Sequence, residues 1–173
     1  MHVFGALLGD GRDSNRDVSM GGLGVGLRYR LLPEFAVAGD IELGFGTDYN
    51  GYDRQESALL LHAIGTLNPR SVVRLYFLGG FGLSSAHVTA GSGDSPLWPS
   101  YDERYSYFGL DLGAGVEVGL SPRTAIHAEL LGFVRDRTDD GPHSQPEFVD
   151  PDTGRTTNSS GGGLLRFGAT FYW

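Results

Sequence analysis

The sequence predicts an all-β protein that folds as an eight-stranded antiparallel up-and-down barrel. Eight segments alternate apolar and polar residues with a period of two, which places successive side chains on opposite faces of a strand. Short and long connections alternate strictly between these segments, and the polar faces are rich in glycine. At 173 residues, the chain is predicted to form one domain over residues 1–173.

The clearest strand is the sixth, where every second residue is apolar and the intervening residues include Asp111, Glu117 and several glycines. In the short first segment, the two faces cannot be told apart from the sequence. The predicted strands cover about residues 2–9, 18–31, 35–47, 56–67, 72–88, 105–120, 124–136 and 161–173.

The connections differ in length and composition. Three are short and contain proline, at residues 32–35, 68–71 and 121–124. Proline presets φ for a tight turn and cannot donate to a strand ladder. Four longer polar connections are predicted at about residues 10–17, 48–56, 89–104 and 137–160. Because short and long connections alternate, all the long ones should emerge at the same end of the barrel.

The net charge of −8 is concentrated in the long connections, which hold six arginines and 14 acidic residues. The rest of the chain holds seven of each and is neutral. This sign disfavours a nucleic-acid partner. The absence of cysteine excludes disulfides and thiolate metal sites. No apolar run is long enough for a transmembrane helix. No cofactor is predicted.

The distribution of charge indicates which face points outward. Apart from the first segment and the more apolar fourth, the apolar faces carry no charged residue except Asp136, the last residue of the seventh, whereas the charged faces are rich in glycine. Small residues suit the crowded interior of a narrow barrel. A basic residue facing lipid near the bilayer midplane would cost about 2–4 kcal/mol. We therefore predict a transmembrane barrel with its apolar faces towards lipid; the alternative is a water-soluble barrel with the apolar faces inside.

The last segment, residues 161–173, places Phe167, Phe171 and Trp173 on one apolar face, and the chain ends on an aromatic residue. It resembles the closing strand of small bacterial outer-membrane barrels of the OmpA and OmpX type. The resemblance implies short periplasmic turns, long extracellular loops, contact with outer-membrane lipid and lipopolysaccharide, and insertion by the barrel-assembly machinery. It also implies that Phe167, Phe171 and Trp173 form a C-terminal insertion signal.

The chain starts directly with strand-like residues rather than with a signal peptide. Because an outer-membrane protein must be exported, we expect the mature form here, with the signal peptide absent and Met1 added. We expect a monomer.

Ten charged residues are predicted to point into the lumen and to form ion pairs that largely plug it. Buried charges must be paired, and the arginine fork can satisfy two carboxylates at once. Across the turn at 32–35, Arg28 and Arg30 should lie beside Asp40 and Glu42. The predicted network comprises Arg28, Arg30, Asp40, Glu42, Arg74, Asp111, Glu117, Glu129, Arg135 and Arg166.

Aromatic residues near the strand ends are predicted to form two interfacial girdles. An alternative is that aromatic residues of the 89–104 connection form a ligand platform. The predicted girdle comprises Phe35, Tyr49, Tyr52, Tyr105, Phe171 and Trp173.

No metal site is predicted, although Asp150 and Asp152 resemble half of a calcium loop and are weak candidates for a divalent cation. The bidentate acid that would complete such a loop is missing.

His127 and Glu129, with His62 on another strand, invite a catalytic interpretation. Two eight-stranded outer-membrane families act on lipid A, and the deacylase has a serine two residues after its histidine. Here Glu129 occupies that place, and Ser84 and Ser85 are nucleophile candidates by type alone. No enzyme and no catalytic residue are predicted.

The predicted function is structural, or lies in the extracellular loops through adhesion or surface interaction. A narrow pore for small solutes or ions and a lipid A-modifying enzyme are the alternatives.

Overall fold

The computed structural model describes residues 1–10, 18–48, 51–90, 102–139, 147–149 and 156–172. The strands in these ranges are β1 (His2–Asp10), β2 (Val18–Leu32), β3 (Phe35–Thr47), β4 (Asp53–Thr66), β5 (Val73–Thr89), β6 (Asp102–Ser121), β7 (Thr124–Arg137), β8 (Phe148–Val149), β9 (Thr156–Thr157) and β10 (Ser159–Phe171).

Eight of these strands form a closed antiparallel barrel in the order β1-β10-β7-β6-β5-β4-β3-β2. Each strand pairs with its neighbour along the chain, and β1 closes the barrel against β10, with His2 opposite Thr170. The remaining two strands, β8 and β9, form a small hairpin within the connection between β7 and β10. The predicted eight-stranded up-and-down barrel is therefore confirmed.

Glu34 and Pro122 lie in turns at one end of the barrel, which we call the short-turn end. The opposite end, where the four longer connections emerge, is the long-loop end. Within the described ranges, no helix has the length and apolarity that a membrane crossing requires.

The strand faces follow the predicted alternation. Large apolar side chains point outward and are exposed, as illustrated by Leu112 at 72% and Leu23 at 71%. Charged side chains such as Asp40, Glu117 and Arg166 point inward and are buried. The outward faces therefore form a continuous apolar surface around a charged interior, which is the pattern of a barrel that faces lipid.

Strands β4 to β7 extend beyond this apolar surface at the long-loop end. On β6, the outward apolar residues run from Leu120 to Phe108 and then give way to Ser106 and Arg104. The twelve residue steps from Leu120 to Phe108 rise about 30 Å along a tilted strand, close to the thickness of a hydrocarbon core. The β5–β6 hairpin continues for about 15 Å above that level. We call the ends of β4 to β7 above Phe108 the projecting sheet.

The projecting sheet explains where the predicted strand boundaries were wrong. Residues 53–56 were assigned to a connection but belong to β4, and residues 102–104 were assigned to a connection but belong to β6. Both stretches lie beyond the apolar surface, so both of their faces carry polar residues. The apolar half of the alternation, which marks the other strands, is missing there.

Candidate functional site

The lumen is filled at two levels by charged side chains. We call the lower level, made only of barrel-strand side chains, the strand network; it comprises His2, Arg28, Asp40, Glu42, His62, Arg74, Asp111, Glu117, Glu129 and Arg166. We call the upper level, at the long-loop end, the mouth network; it comprises Arg54, Glu56, Tyr107, Arg135 and Glu147.

Arg166 on β10 lies at the centre of the strand network and is 1% exposed. Its Nη1 lies 3.5 Å from Glu129 Oε2 and 3.9 Å from Asp40 Oδ2, and its Nη2 pairs with Glu42. The guanidinium carbon lies 4.9 Å from the ring centre of Phe4. One buried cation therefore serves carboxylates from β3 and β7, the use of a planar fork that suits arginine better than lysine.

Arg28 joins the next set of carboxylates. Its Nη2 lies 3.1 Å from Glu129 Oε1, and its Nη1 lies 3.5 Å from Glu117 Oε2. The Tyr76 hydroxyl donates to Glu129 Oε1 at 2.7 Å, and the Arg28 guanidinium carbon lies 5.1 Å from the Tyr76 ring centre. The pairing links β2 to β6 and β7 across the lumen, so it depends on closure of the barrel.

A chain of histidine and aspartate side chains completes the strand network. His2 Nε2 lies 2.7 Å from Asp40 Oδ1, and Asp40 Oδ2 lies 3.0 Å from His62 Nδ1. The other ring nitrogen of His62 lies 3.1 Å from Asp111 Oδ1. The four residues come from β1, β3, β4 and β6, so the chain runs across the interior rather than along one strand.

Glycine leaves the room that these side chains need. A Cβ added to Gly26 would lie 1.9 Å from Asp40 Oδ1 and 2.7 Å from the His2 ring. At Gly168, a Cβ would lie 2.7 Å from the His127 ring. Glycine on the charged faces, which the sequence shows as a pattern, therefore permits the close packing of large polar side chains.

The mouth network centres on Arg54, whose side chain is buried. Arg54 Nη1 donates to Glu147 Oε1 at 2.9 Å, and its Nη2 donates to Glu56 at 3.1 Å and to the Tyr107 hydroxyl at 3.1 Å. Glu56 also pairs with Arg135, which lies over the Tyr107 ring at 4.5 Å. Glu147 belongs to the connection between β7 and β10, so a loop residue enters the barrel mouth.

A mostly apolar cavity of about 70 Å³ separates the two networks. The strand-network residues Glu42, Asp111 and Arg166 lie on its wall, as do Glu56 and Arg135 of the mouth network. Its apolar wall includes Leu8, Leu60, Leu131, Phe133 and Leu164. Above the mouth network, Ala86, Val88 and Tyr105 form a second buried cluster together with Tyr107 of that network. The lumen is thus occupied by side chains from the strand network to the projecting sheet.

The structure corrects the predicted pairing of two arginines. Arg28 and Arg30 were expected beside Asp40 and Glu42, but Arg28 lies opposite Ala38 and reaches across the lumen to Glu117 and Glu129. Its side chain is long enough to span the narrow interior, so cross-strand adjacency does not decide its partner. Arg30 is exposed at the short-turn end, and its guanidinium carbon lies 5.5 Å from the Tyr172 ring centre.

The other predicted lumen residues point inward. Glu42 pairs with Arg166, Arg74 with Glu117 at 3.0 Å, and Arg135 with Glu56. The predicted set lacks six members of the two networks. Arg54, Glu56 and Glu147 were assigned to connections, whereas His2, His62 and Tyr107 lie on predicted strands but were not included in the set. Arg54 and Glu56 could have been recognised as inward residues, because they stand at alternate positions that continue the inward face of Leu60 and His62.

Two predicted girdle residues are wrong. Tyr105 is buried, and Tyr52 packs against its cluster inside the projecting sheet. Both lie on inward faces above the apolar surface, so they fill the mouth instead of meeting the interface. Phe35 and Phe171 are exposed on the outside at the short-turn end.

Phe167, of the predicted insertion signal, also faces outward. Tyr49, Trp173, Asp150 and Asp152 lie outside the described residues. Within the described ranges, no group of three or more histidine, aspartate or glutamate side chains could hold a metal ion.

The catalytic candidates do not form a nucleophile–base pair in the described ranges. His127 is buried, and its Nδ1 lies 3.2 Å from the Thr170 hydroxyl. Ser84 lines the apolar cavity, and Ser85 faces outward. Neither serine has a described hydrogen bond to His127, so the arrangement lacks the contact by which a base would activate a hydroxyl.

Comparisons with known proteins agree with this architecture. The family model described as "Outer membrane protein beta-barrel domain" matches residues 4–148. The chain therefore belongs to the outer-membrane β-barrel family and is an outer-membrane protein. A search of curated proteins gave no significant match.

Solved structures of similar shape include neisserial surface protein A, with a TM-score of 0.68 at 15% identity over 99% of this chain and 95% of that one. The outer membrane enzyme PagL gives a TM-score of 0.57 at 12% identity, over 97% of this chain and 98% of PagL. Ail, the attachment invasion locus protein of Yersinia pestis, gives a TM-score of 0.52 at 16% identity, over 98% of this chain and 94% of Ail. At these identities the likeness concerns the fold, which both surface proteins and an enzyme share.

Proposed function

We propose that this protein is a sealed, non-enzymatic outer-membrane barrel that works through surface interaction at its long-loop end. In this proposal the long-loop end faces the outside of the cell and the short-turn end faces the periplasm, which is the habit of bacterial outer-membrane barrels. The membrane-spanning part serves as a rigid anchor. The projecting sheet and the β7–β10 connection form the binding region.

The observation that carries this proposal is the position of Glu147. Its carboxylate lies 2.9 Å from Arg54 Nη1 inside the mouth, although its neighbours in sequence belong to the longest connection. Its backbone N–H also donates to Asn158 Oδ1 at 3.3 Å, on the returning side of that connection. These two contacts fix the position of Glu147, and such a restraint lowers the entropy lost when a partner binds.

The projecting sheet adds a second ordered surface. Its inner face is packed by Val88, Tyr105 and Tyr107, while its outer face presents Gln55, Ser57, Ser85, His87, Arg104, Ser106 and Asp136. Hydrogen-bonding side chains on a rigid sheet above the lipid suit recognition of a polar macromolecular surface. Two proteins of similar fold, a neisserial surface protein and an attachment invasion locus protein, have names that are compatible with such a role.

Conductance in planar lipid bilayers separates the sealed barrel from a narrow pore. We expect the wild-type protein to give no unitary current steps in 1 M KCl, because charged and apolar side chains occupy successive levels of the lumen. Stable single-channel steps in most insertions would contradict the sealed barrel. Unboiled protein that migrates faster than boiled protein on a detergent gel confirms that the inserted sample is folded.

The loop role is tested by deleting residues 139–158 and measuring how intact cells that display the variant attach to immobilised extracellular-matrix proteins. We expect attachment to fall at least about tenfold while surface display is unchanged. A Glu34→Gln variant, altered at the short-turn end, is the matched control and should attach normally. Normal attachment after the deletion would remove the loop from the proposal. A His127→Ala variant with an altered lipid A mass profile would revive the enzyme alternative.

A further inference from the structure

The short-turn end contains an open cleft of about 570 Å³, which shares only Arg74 with the strand network. It lies between the turn after β4, the turn after β6, and Tyr172, which follows β10. Three arginines line it: Arg30 from β2, Arg70 from the turn after β4, and Arg74 from β5. We call it the arginine cleft.

The positive charge of the arginine cleft is not balanced within the described ranges. Glu117 is the nearest partner carboxylate, but it already accepts from Arg74 at 3.0 Å, from Arg28 at 3.5 Å, and from the Tyr172 hydroxyl at 2.7 and 2.8 Å. No ion pair of the described residues involves Arg30 or Arg70. Two guanidiniums therefore remain available to an external anion.

Two of the three guanidiniums in the cleft are also held in place. Arg30 and Arg74 lie 5.5 Å and 5.7 Å from the centre of the same Tyr172 ring, and the hydroxyl of that ring is fixed by Glu117. Stacking on one ring restrains two like charges that would otherwise separate. A bound anion would offset their repulsion, and guanidinium groups match the geometry of phosphate oxygens.

Apolar groups border the charged part of the cleft. Val72 and Leu120 line it and are 66% and 62% exposed, and Pro69 and Pro122 complete the same wall. Leu120 begins the outward apolar surface of β6, so the cleft opens where the barrel meets the membrane interface. A free inorganic anion would leave this apolar wall unused, whereas a lipid could contact it with its glycerol and acyl groups.

We propose that the arginine cleft binds the phosphodiester of an anionic phospholipid in the leaflet at the short-turn end. Arg30 and Arg70 contact the phosphate, Arg74 and Tyr172 position Arg30, and Val72 with Leu120 contacts the lipid body. Basic pockets at a membrane surface are known to hold lipid head groups in this way. The proposal depends on the membrane location of the barrel and not on what its loops bind.

Lipid binding at the arginine cleft can be tested by native mass spectrometry of the full chain released from micelles. The probes are phosphatidylglycerol, phosphatidylcholine and inorganic phosphate. We expect one phosphatidylglycerol to be retained, at least about tenfold more tightly than phosphatidylcholine, and Arg30→Gln/Arg70→Gln to lose about tenfold or more of that preference. Arg123→Gln removes a charge at the same end but outside the cleft lining, and it should retain the lipid as wild type does. Heat-dependent gel migration shows that each variant is folded.

Three results would overturn the proposal. Equal retention by wild type and the double variant, or equal losses in the double variant and Arg123→Gln, would mean that the cleft is not the site. Displacement of the lipid by inorganic phosphate at equal concentration would mean that the cleft takes a free anion and not a phospholipid. Surface attachment, measured separately, is unaffected by any of these results.

Discussion

The two charged levels of the lumen are built from different sources, although both use arginine forks and glutamates. Every member of the strand network lies on a barrel strand, and its pairs join strands on different sides of the lumen. The mouth network includes Glu147, which comes from the connection between β7 and β10. The first network therefore forms when the barrel closes, whereas the second also requires one loop to fold back.

This difference indicates separate roles for the two levels. An uncompensated charge inside the barrel has no route to water, so loss of a strand-network cation should act on the stability of the whole fold. Glu147 can leave the mouth together with its loop and regain water. Its loss should act mainly on the loop, and the barrel beneath should remain intact.

The largest effect is expected from Arg166→Met, which removes the cation shared by Asp40, Glu42 and Glu129. Glu129 keeps Arg28, and Asp40 keeps His2 and His62, but Glu42 loses its described cation inside the lumen. We therefore expect the free energy of unfolding to fall by about 3–5 kcal/mol. Urea titration in lipid vesicles measures this free energy, with the folded fraction read from the migration of unboiled samples on a gel. Arg135→Met is the comparison in the mouth network, where Glu56 keeps its contact with Arg54, and its effect should be smaller. Equal losses would break the distinction between the two levels.

A middle-sized effect is expected where glycine makes room for the strand network. In Gly26→Ala the new methyl group would overlap Asp40 Oδ1 and the His2 ring, and we expect a loss of about 1–3 kcal/mol in the same titration. Gly65→Ala is the matched control, because no atom lies within 4 Å of a Cβ there, and it should change stability by less than about 0.5 kcal/mol. If both variants unfold like wild type, close packing around Asp40 is not what this glycine provides.

The smallest effect on stability is expected from Glu147→Gln. Arg54 keeps Glu56 as a partner, so we expect the barrel to lose only about 1 kcal/mol or less. Weaker docking of the loop should nevertheless raise proteolytic cleavage within residues 139–158 by about fivefold. Limited proteolysis of intact vesicles, with Glu34→Gln as the control, measures this. Faster cleavage that is matched by Glu34→Gln, or none at all, would show that Glu147 does not hold the loop.

Most of the barrel could be predicted from the sequence because side-chain alternation is a local property. The faces of Leu110, Asp111 and Leu112 follow from their positions along the strand alone. The contrast between the two faces is strong because one meets lipid and the other carries the charges. The proline turns fixed the order of short and long connections. The same argument could not reach the projecting sheet, where polar residues occupy both faces and Arg54 and Glu56 therefore resembled a loop.

The partners within the lumen could not be predicted for a different reason. Residues on adjacent strands have a defined register, but Arg28 crosses the interior to β6 and β7, which are distant in the strand order. Which carboxylate a long side chain reaches depends on barrel closure and on the space that small residues leave. Glu147 is harder still to predict, because nothing in its local sequence distinguishes a docked loop acid from a solvated one.

The central claim is that the apolar faces meet lipid and the charged faces are enclosed. Nuclear Overhauser contacts between lipid acyl protons and methyl groups of the protein in nanodiscs test it most directly. We expect strong contacts for Leu23, Leu112 and Leu130, which point outward, and none for Leu78 and Leu131, which are buried in the interior. Acyl contacts to Leu78 and Leu131, with none to Leu112, would contradict the assignment of the faces.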